Sequence, residues 1–572
     1  MKKTFAIIMT VVGVLGVVLL RAPEPDTVDR RIHAATVQER SGTYLIDFGE
    51  AWFGNVIVKP NSDNIGRTVV LTLGEKLDAE GRVDTSPYGS VRSFRTRLEL
   101  GRSPVSPGLE ARDSRGIESG GVLPFRYAEI EGWVGDLPND ALTLKARVSR
   151  QFSRRGSIRF SDESIGRDLN RLVELGTHTL EATSFMGVFV DGDRERIPYE
   201  ADAYINQLGW YAVTGDWTVP RKTFEALIEK PTWPTEWQTH MILMAWADYV
   251  FTGDYTLIQR HYERLKLLSL IDLIDETGLV TTANDQRVKK IVGRTGGRPL
   301  NDIVDWPPEE RDDYDMRPYN TVVNAFVYVG LKRMAEIAVV LGRPEDRQRF
   351  ESASIRLKEA MEAKLVDSEK GLFLDGLGSS HISAHALFFP LAFGLVPEQR
   401  KQATIDALKQ RIKEYGGGFP CSVYGAQYLL EALFLNGEGA LAIRLILNRT
   451  DRGWLHMLDA HSATITHEAW DLRYKDNLDW THPWGTAFLN VLYRFVLGAE
   501  PVAGRSTWSI RPAFALGLDV QGLCPRRSGR LRLRLILPGA RLPSATAGYR
   551  AELLRHDSYA LSNWIIELGL IC

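Results

Sequence analysis

The hydrophobic pattern of the chain changes near residue 160, and this change constrains the fold more than any other feature of the sequence. From 42 to about 152, short runs such as "TVVLTLGEKL" and "LTLKARVSR" are separated by Gly, Pro, Asp and Ser, which is typical of strands. After Phe160, apolar residues recur three and four apart, and helical runs continue to about 497. The pattern therefore predicts a β-sandwich followed by an all-α domain.

The helical region holds roughly a dozen helices, a number that a ring of paired helices, six inside and six outside, would accommodate. After about 506, runs such as "GRLRLRLILPG" return to strand-like alternation. The chain is also longer than one domain usually is. We therefore predict a multidomain protein with a targeting segment and linker over 1–40, a β-sandwich over 41–155, a helical domain over 156–500 and a short β-rich segment over 501–572.

The start of the chain is typical of a targeting segment. Lys2 and Lys3 precede an apolar run from Phe5 to Leu20, and Arg21 follows it. A run of about 16 residues is borderline for crossing a membrane. Two interpretations stay open, a cleaved export signal and an uncleaved N-terminal anchor. Both predict an exported protein that is periplasmic, extracellular or associated with the membrane through its N-terminus.

Charge and cysteine content argue against several classes of function. The formal net charge is −2, so no bulk field attracts nucleic acid, and none is expected as a partner. The three cysteines lie far apart and form neither a metal-ligand cluster nor a disulfide framework. His381 and His385 have the His-x-x-x-His spacing but lack the Glu of the zinc-protease motif. We therefore expect no metal and no organic cofactor.

One stretch, "FVDGDRERIPYEADAYINQLGWY" at 189–211, crowds charges against aromatic residues. Its acidic and basic residues are Asp191, Asp193, Arg194, Glu195, Arg196, Glu200 and Asp202. Burial and neighbouring carboxylates raise a carboxyl pKa and arginines lower it, so such a cluster can split the pKa values of neighbouring acids. That split assigns acid and base roles in catalysis. A salt-bridge network at a domain junction is the alternative interpretation.

A second candidate carboxylate stands far along the chain in "ATITHEAWDLRYKDNLDWTHPWG". Glu468 lies between His467 and the pair Trp470 and Asp471, as a carboxylate in an aromatic-walled pocket would. The alternative is an ordinary helix N-terminus with its favoured acid. Two distant carboxyls, each among aromatic residues, indicate glycoside hydrolysis, which needs one acid for the leaving oxygen and a second carboxylate for water or for C1.

Three loops of the helical region are rich in aromatic and acidic residues: 229–237, 301–316 and 467–485. Such loops on a rigid scaffold commonly carry a binding site. Trp237 in the first loop and Asp305 with Trp306 in the second are candidates for the sugar-binding wall. A packing lid is the alternative for the same residues.

The charged stretch resembles a family signature. "DGDRERIPYEAD" is similar to the Asp-Cys-Pro-x-Arg-(Asp)-Glu-Arg-Leu-Gly-Trp-x-Gly-Asp segment of the bacterial α-L-rhamnosidases. "SATITHEAWD" and "WTHPWGTA" resemble two later segments of that family, and "YLIDFGEAWFGNVIV" resembles its β-sandwich module. The resemblance runs in order from about 42 to about 515. It implies that the helical domain is an (α/α)6 six-hairpin barrel.

The resemblance also implies residue roles. Glu195 resembles the general acid of the family and Glu468 its general base, and the anomeric centre would be inverted. That mechanism implies a carboxyl separation of roughly 6.5 to 9.5 Å. The remaining implied sugar contacts are Asp191, Arg194, Asp202, Trp470 and His482, with Tyr199 at the position where the signature has Trp.

The resemblance implies a terminal α-L-rhamnosyl group of a glycoside or polysaccharide as the substrate. Two other functions stay open from the residues alone. One is a six-hairpin glycosidase or phosphorylase for another sugar. The other is a non-catalytic carbohydrate-binding protein, against which the presence of both Glu195 and Glu468 counts.

Overall fold

A computed structural model describes most of the chain between residue 25 and residue 536. The segments left out within that range are 115, 117, 119, 284–287, 289–298, 504–507, 513–517, 519 and 527–528, and beyond it only 550–551 and 567–568 are described. The predicted targeting segment therefore lies outside the described residues. No helix of the described part is long and apolar enough to cross a membrane.

The N-terminal domain is an antiparallel sheet. Its strands are β1 (Thr27–His33), β2 (Thr36–Arg40), β3 (Thr43–Val58), β4 (Thr68–Gly74), β5 (Ser93–Glu99), β6 (Leu123–Glu131) and β7 (Leu142–Ser149). Hydrogen bonds connect them in the order β1-β7-β3-β6-β4-β5, with β2 paired to β3. Their alternating residues bury one apolar core that includes Val56, Leu71 and Phe125.

The prediction of a β domain before the helical region is therefore confirmed. The 16-residue strand β3 pairs with β2 through its first part and with β7 through its last part, and β6 pairs with both parts. The register with β6 shifts between Asp47 and Trp52, which marks an irregularity of the bulge kind. All seven described strands consequently belong to one continuous sheet.

The helical domain is a closed ring of helix pairs. Its helices are α1 (Ile165–Ala182), α2 (Glu200–Thr214), α3 (Thr218–Glu229), α4 (His240–Thr252), α5 (Thr256–Leu268), α6 (Thr321–Val340), α7 (Pro344–Lys364), α8 (Ala384–Ala392), α9 (Glu398–Glu414), α10 (Gly425–Leu435), α11 (Gly439–Ile446), α12 (Trp454–Ala460) and α13 (Ala487–Val491), which continues as a π-turn to Val496. The helices α2, α4, α6, α8, α10 and α13 pack each on the next, and α13 packs on α2, which closes the ring.

Amphipathicity separates the inner helices from the outer ones. The inner helix α6, "TVVNAFVYVGLKRMAEIAVV", is buried on nearly all sides. Its outer partner α7 buries mainly Phe350, Ala353, Leu357 and Met361, which recur three and four apart on one face. A helix that is apolar all round must be enclosed, so this difference explains why α6 lines the barrel and α7 faces solvent.

The segment after the barrel contains short strands. They are β9 (Ala499–Pro501), β10 (Trp508–Ile510), β11 (Val520–Arg526) and β12 (Gly529–Ile536). β11 pairs with β12 and also with β8 (Ser157–Phe160), the strand that precedes the barrel. Much of 501–572 lies outside the described residues, so a β-rich C-terminal segment remains a prediction for that part.

Candidate active site

The inner helices all begin at the same end of the barrel, and the loops that precede them form the candidate site. The 189–199 loop leads into α2, and the 464–486 segment leads into α13. The two are joined by hydrogen bonds: Arg194 N donates to Asp479 Oδ2 at 3.0 Å, and Asp193 N donates to Thr481 Oγ1 at 3.1 Å. Two distant parts of the sequence thus meet at the N-terminal ends of α2 and α13.

Two charged residues of the 189–199 loop anchor it rather than face the site. Asp193 and Arg196 are 1% exposed and pair with each other, and Asp193 also pairs with Arg92 of the β domain. Arg196 donates to the Val122 carbonyl at 2.9 Å and lies 5.2 Å from the Phe185 ring. The predicted salt-bridge network at a domain junction therefore exists, and within the stretch it uses Asp193 and Arg196.

Arg194 and Glu195 of the same loop face the site. Arg194 Nη1 donates to Glu468 Oε2 at 2.6 Å, and its Nη2 donates to Glu468 Oε1 at 2.9 Å. The same Nη2 lies 3.5 Å from Glu195 Oε1. Both predicted catalytic carboxylates therefore contact one guanidinium, although they are separated by more than 250 residues in the chain.

The surroundings of Glu468 keep its carboxyl ionised. The side chain is 2% exposed, and this burial acts to raise its pKa. The positive charges of His482, Arg194 and Lys475 outweigh burial and leave the pKa of Glu468 below its ordinary value. Lys475 Nζ lies 3.5 Å from Glu468 Oε1. An ionised, hydrogen-bonded carboxylate is suited to the role of a base.

One nitrogen of Arg194 limits how far apart the nearest oxygens of the two carboxylates can lie. It is 2.9 Å from Glu468 Oε1 and 3.5 Å from Glu195 Oε1, so those two oxygens can be no farther apart than the two contact distances together. The inverting range of roughly 6.5 to 9.5 Å refers to the carboxyl groups as a whole, so the implied separation stays a prediction.

Asp479 and Thr481 are site residues that the sequence analysis missed. Asp479 is 1% exposed; its backbone N–H donates to Glu468 Oε2 at 3.2 Å, and its side chain accepts the Arg194 N–H. The approach is so close that a Cβ on Gly192 would lie 2.5 Å from Asp479 Oδ2. Only glycine fits there. The signal for Asp479 in the sequence was its position in "DNLDWTHPW", within the resembling segment.

Asp191 and Asp202, the predicted sugar-binding acids, lie buried beside the site. Burial and the nearby charges of Glu195, Asp202 and Asp479 raise the pKa of Asp191 well above its ordinary value. Burial also raises the pKa of Asp202, while His482, whose Nε2 lies 3.0 Å from Asp202 Oδ1, opposes that shift. A raised pKa favours the protonated form of a carboxyl, and that form can donate a hydrogen bond to a sugar hydroxyl.

Tyr199 and Trp306 form half-buried walls near the carboxylates. The Tyr199 hydroxyl donates to Glu195 Oε2 at 2.6 Å, and its ring meets the edge of Trp237 at 5.7 Å between centroids. The Trp306 ring lies 5.7 Å from Lys475 Nζ, which places it near Glu468. Trp237 itself is 5% exposed, so it supports Tyr199 from behind more than it offers an open face.

Trp470 and Asp305 do not lie on an open wall. Trp470 is fully buried; its Nε1 donates to the Cys421 carbonyl at 2.7 Å, and its ring stacks on Phe419. Asp305 is fully buried too, and its carboxylate accepts from Ser422 and lies 2.6 Å from His385 Nε2. Packing was the alternative interpretation for Asp305, and the burial of both residues fits a packing role.

The site thus contains a buried carboxylate with a lowered pKa, a second carboxylate whose side chain is 29% exposed, aromatic walls and buried acids with raised pKa values. This chemistry, at the N-terminal end of a ring of six helix pairs, defines the class of six-hairpin glycosidase barrels. The family model described as the bacterial alpha-L-rhamnosidase six-hairpin glycosidase domain matches residues 154–496, and the concanavalin-like domain of the same family matches 37–149. The chain belongs to the bacterial alpha-L-rhamnosidase family.

Individual relatives are distant in sequence. An alpha-L-rhamnosidase of Streptomyces avermitilis is 22% identical over 473 residues, which cover 78% of this chain and 41% of the relative. Its crystal structure with L-rhamnose has a TM-score of 0.70 at 18% identity and covers 89% of this chain and 48% of that one. An alpha-L-rhamnosidase structure from Dictyoglumus thermophilum has a TM-score of 0.73 at 17% identity, with coverage of 89% and 56%. The chain therefore spans about half the length of the relatives it matches.

Proposed function

We propose that the protein is an inverting glycoside hydrolase that removes terminal non-reducing α-L-rhamnosyl groups, with Glu195 as the general acid and Glu468 as the general base. Water attacks the anomeric carbon while Glu468 accepts a proton from it. The bond between that carbon and the leaving oxygen breaks, and Glu195 donates its proton to the oxygen. The products are the free sugar and the free alcohol of the aglycone, and the next cycle begins after the proton returns from Glu468 to Glu195 through solvent.

The observation that carries the proposal is the shared contact of Glu195 and Glu468 with Arg194. Glycoside hydrolysis needs two carboxyls in different states on either side of one bond. Arg194 gives Glu468 a bidentate, charge-assisted pair that favours the ionised form. Glu195 has only the 3.5 Å contact with that guanidinium and the hydrogen bond from Tyr199. The two carboxyls therefore have unequal environments, as unequal roles require.

The inverting geometry follows if the sugar enters between the carboxylates. The Glu195 side chain is 29% exposed, so it has room to turn away from Arg194. Replacing its 3.5 Å contact with a sugar and a water would widen the gap into the range of inverting enzymes. Glu468, held by Arg194, Lys475 and the Asp479 N–H, would stay in place as the fixed side of the pair.

The choice of rhamnose is supported by family membership and by the residues that surround the site. Asp191 and Asp202 supply hydrogen bonds for hydroxyls, and Tyr199 and Trp306 supply ring faces for C–H groups. Tyr199 stands at the Trp position of the family signature. A phenol is narrower than an indole and adds a hydroxyl, so we propose that this wall modifies the preference among rhamnosides.

The decisive experiment compares Glu195→Gln and Glu468→Gln on a series of aryl and alkyl α-L-rhamnosides. Each substitution should lower kcat by about 10²- to 10⁴-fold, the usual contribution of general acid or base catalysis. The loss in Glu195→Gln should shrink as the leaving group becomes more acidic, because a stable phenolate needs no proton. The loss in Glu468→Gln should be the same for all leaving groups. Proton NMR of the first product formed should show the inverted anomer.

Circular dichroism and thermal unfolding provide the control that both variants are folded. Near-native activity of either folded variant would refute its assigned role. Retention of configuration would refute the water-mediated mechanism. Turnover that requires inorganic phosphate would instead identify a phosphorylase, because phosphate would then replace water as the nucleophile.

We also propose that the protein is exported. Lys2, Lys3 and the apolar run from Phe5 to Leu20 support this. Fractionation of cells that express the full chain should find the activity outside the cytoplasm. Deletion of residues 2–21 should retain it in the cytoplasm, and an unchanged distribution would contradict the proposal.

A further inference from the structure

We propose that His456, His461 and Asp471 form a binding site for Zn²⁺ near Glu468. This proposal is independent of the proposed rhamnosidase activity. One ligand atom from each residue lies within 4.8 Å of the other two. His456 Nε2 is 2.7 Å from Asp471 Oδ2, and His461 Nε2 is 3.3 Å from the same oxygen. Two imidazole nitrogens and one carboxylate oxygen are a ligand set that zinc commonly uses in proteins.

Two structural elements bring these ligands together. His456 lies on the short helix α12, and His461 is the residue at which that helix ends. Asp471 follows Glu468 and Trp470 and begins the turn that leads to Lys475. The two histidines are separated by four residues, a spacing that zinc fingers use together with a Cys-x-x-Cys pair, and the sequence has no such pair.

Asp471 is oriented by a second layer of contacts, as metal-binding carboxylates usually are. Its Oδ1 accepts from Arg473 N at 3.1 Å and from Arg473 Nε at 3.2 Å, which leaves Oδ2 directed at the two histidines. Arg473 Nη1 in turn pairs with Asp451 at 2.6 Å, so part of its charge is offset.

His467 is an independent sign that a ligand belongs here. It is fully buried, and neither of its ring nitrogens has a hydrogen-bond partner. Its ring lies 5.6 Å from that of His461 and stacks on Trp480 at 4.8 Å. A buried imidazole without partners costs free energy. A cation with a water in its open coordination position would provide such a partner beside His461.

The two histidines are accessible to an ion. The side chains of His456 and His461 are 17% and 19% exposed, so an ion can enter from solvent. Lys76 Nζ lies 6.0 Å from the Trp480 ring and is the nearby cation.

The location gives the ion a structural role. Asp471 is three residues from Glu468, and the turn that it begins carries Lys475 to Glu468. Zn²⁺ bound to the histidines of helix α12 and to Asp471 would hold this turn against the helix. Its binding should therefore stabilise the segment that holds the proposed base without taking part in the reaction.

The test uses the full chain, stripped with a chelator and titrated with ZnCl₂ by calorimetry, with a thermal melt at each zinc concentration. One equivalent should bind and raise the melting temperature, whereas Mg²⁺ and Ca²⁺, which prefer oxygen ligands, should have no effect. His456→Gln and His461→Gln should each weaken zinc binding by about 100-fold or more, because loss of even an outer-layer partner costs 10- to 100-fold. His33→Gln, an exposed histidine of β1, is the matched control and should bind as the native chain does.

Substitution with Co²⁺ keeps the test informative if a variant fails to fold. The native chain with Co²⁺ should show intense visible absorption bands of a four- or five-coordinate ion, and Zn²⁺ should displace them. Absence of saturable zinc binding to the native chain would overturn the proposal. So would unchanged zinc affinity in both folded His456→Gln and His461→Gln.

Discussion

The four consecutive residues Asp193 to Arg196 form two groups of charged side chains, an outer pair and an inner pair. The two groups differ in burial and in the residues that they contact. Asp193 and Arg196 are buried, pair with each other and bind Arg92 and the Val122 carbonyl of the β domain. The side chains of Arg194 and Glu195 are 21% and 29% exposed and lie on the side of the loop that faces Glu468. The same residue types in one short stretch thus anchor the loop at the two outer positions and face the candidate site at the two inner positions.

The difference shows how the loop can position Glu195, the proposed acid. Arg196 has a φ of 55°, a left-handed conformation that a residue with a long side chain seldom adopts. Such a conformation persists where surrounding contacts fix it, and the buried pair with Asp193 and the aromatic rings of Phe53 and Phe185 provide those contacts. The anchoring set therefore determines where Arg194 and Glu195 point.

The largest expected effect is on stability, from two matched carboxylate-to-amide changes. Asp193→Asn leaves Arg92 and Arg196 without their shared counter-charge and should lower the free energy of unfolding by about 3–5 kcal/mol. Glu195→Gln, two residues away and partly exposed, should change it by less than about 0.5 kcal/mol. Urea unfolding of both variants measures this. Equal losses of stability would mean that the two sets are not distinct.

A second prediction concerns the ionisation of Glu468. Arg194→Gln removes the bidentate pair that helps hold the pKa of Glu468 down, so that pKa should rise. The base would then be protonated at a higher pH, and the acidic limb of the kcat/KM profile should move to higher pH by about one unit. Lys475→Gln, which removes a more distant charge, should move it in the same direction by less. An unmoved acidic limb in Arg194→Gln would contradict Glu468 as the base.

The smallest expected effect is at Tyr199. Tyr199→Phe removes one hydrogen bond to Glu195 and should lower kcat/KM by threefold to tenfold, which corresponds to about 0.5–1.5 kcal/mol. Tyr199→Trp introduces the residue of the family signature and serves as the comparison for sugar preference. If neither substitution changes the ratio of activities on rhamnosides and on other aryl glycosides, this wall does not select the sugar.

Much of the architecture follows from local patterns, and the details of the site do not. The change of period near 160 reflects which residues must be buried, so it separated the β domain from the helical ring correctly. An irregular loop has no regular spacing of buried residues, so its sequence could not reveal that Arg196 points into the core while Arg194 points toward Glu468. For the same reason Trp306 and Trp470 looked equivalent, although only Trp306 is partly exposed.

The pairing of Arg92 with Asp193 has a consequence for how such chains are inherited and engineered. The loop that carries Glu195 is ion-paired with the β domain, although the barrel and the β domain each match a family model of their own. We therefore expect the two domains to be inherited together. Recombination between relatives at the junction near residue 150 would separate Arg92 and Val122 from the loop they hold. Productive chimeras should therefore exchange both domains together, and a barrel grafted onto a foreign β domain would need new partners for Asp193 and Arg196.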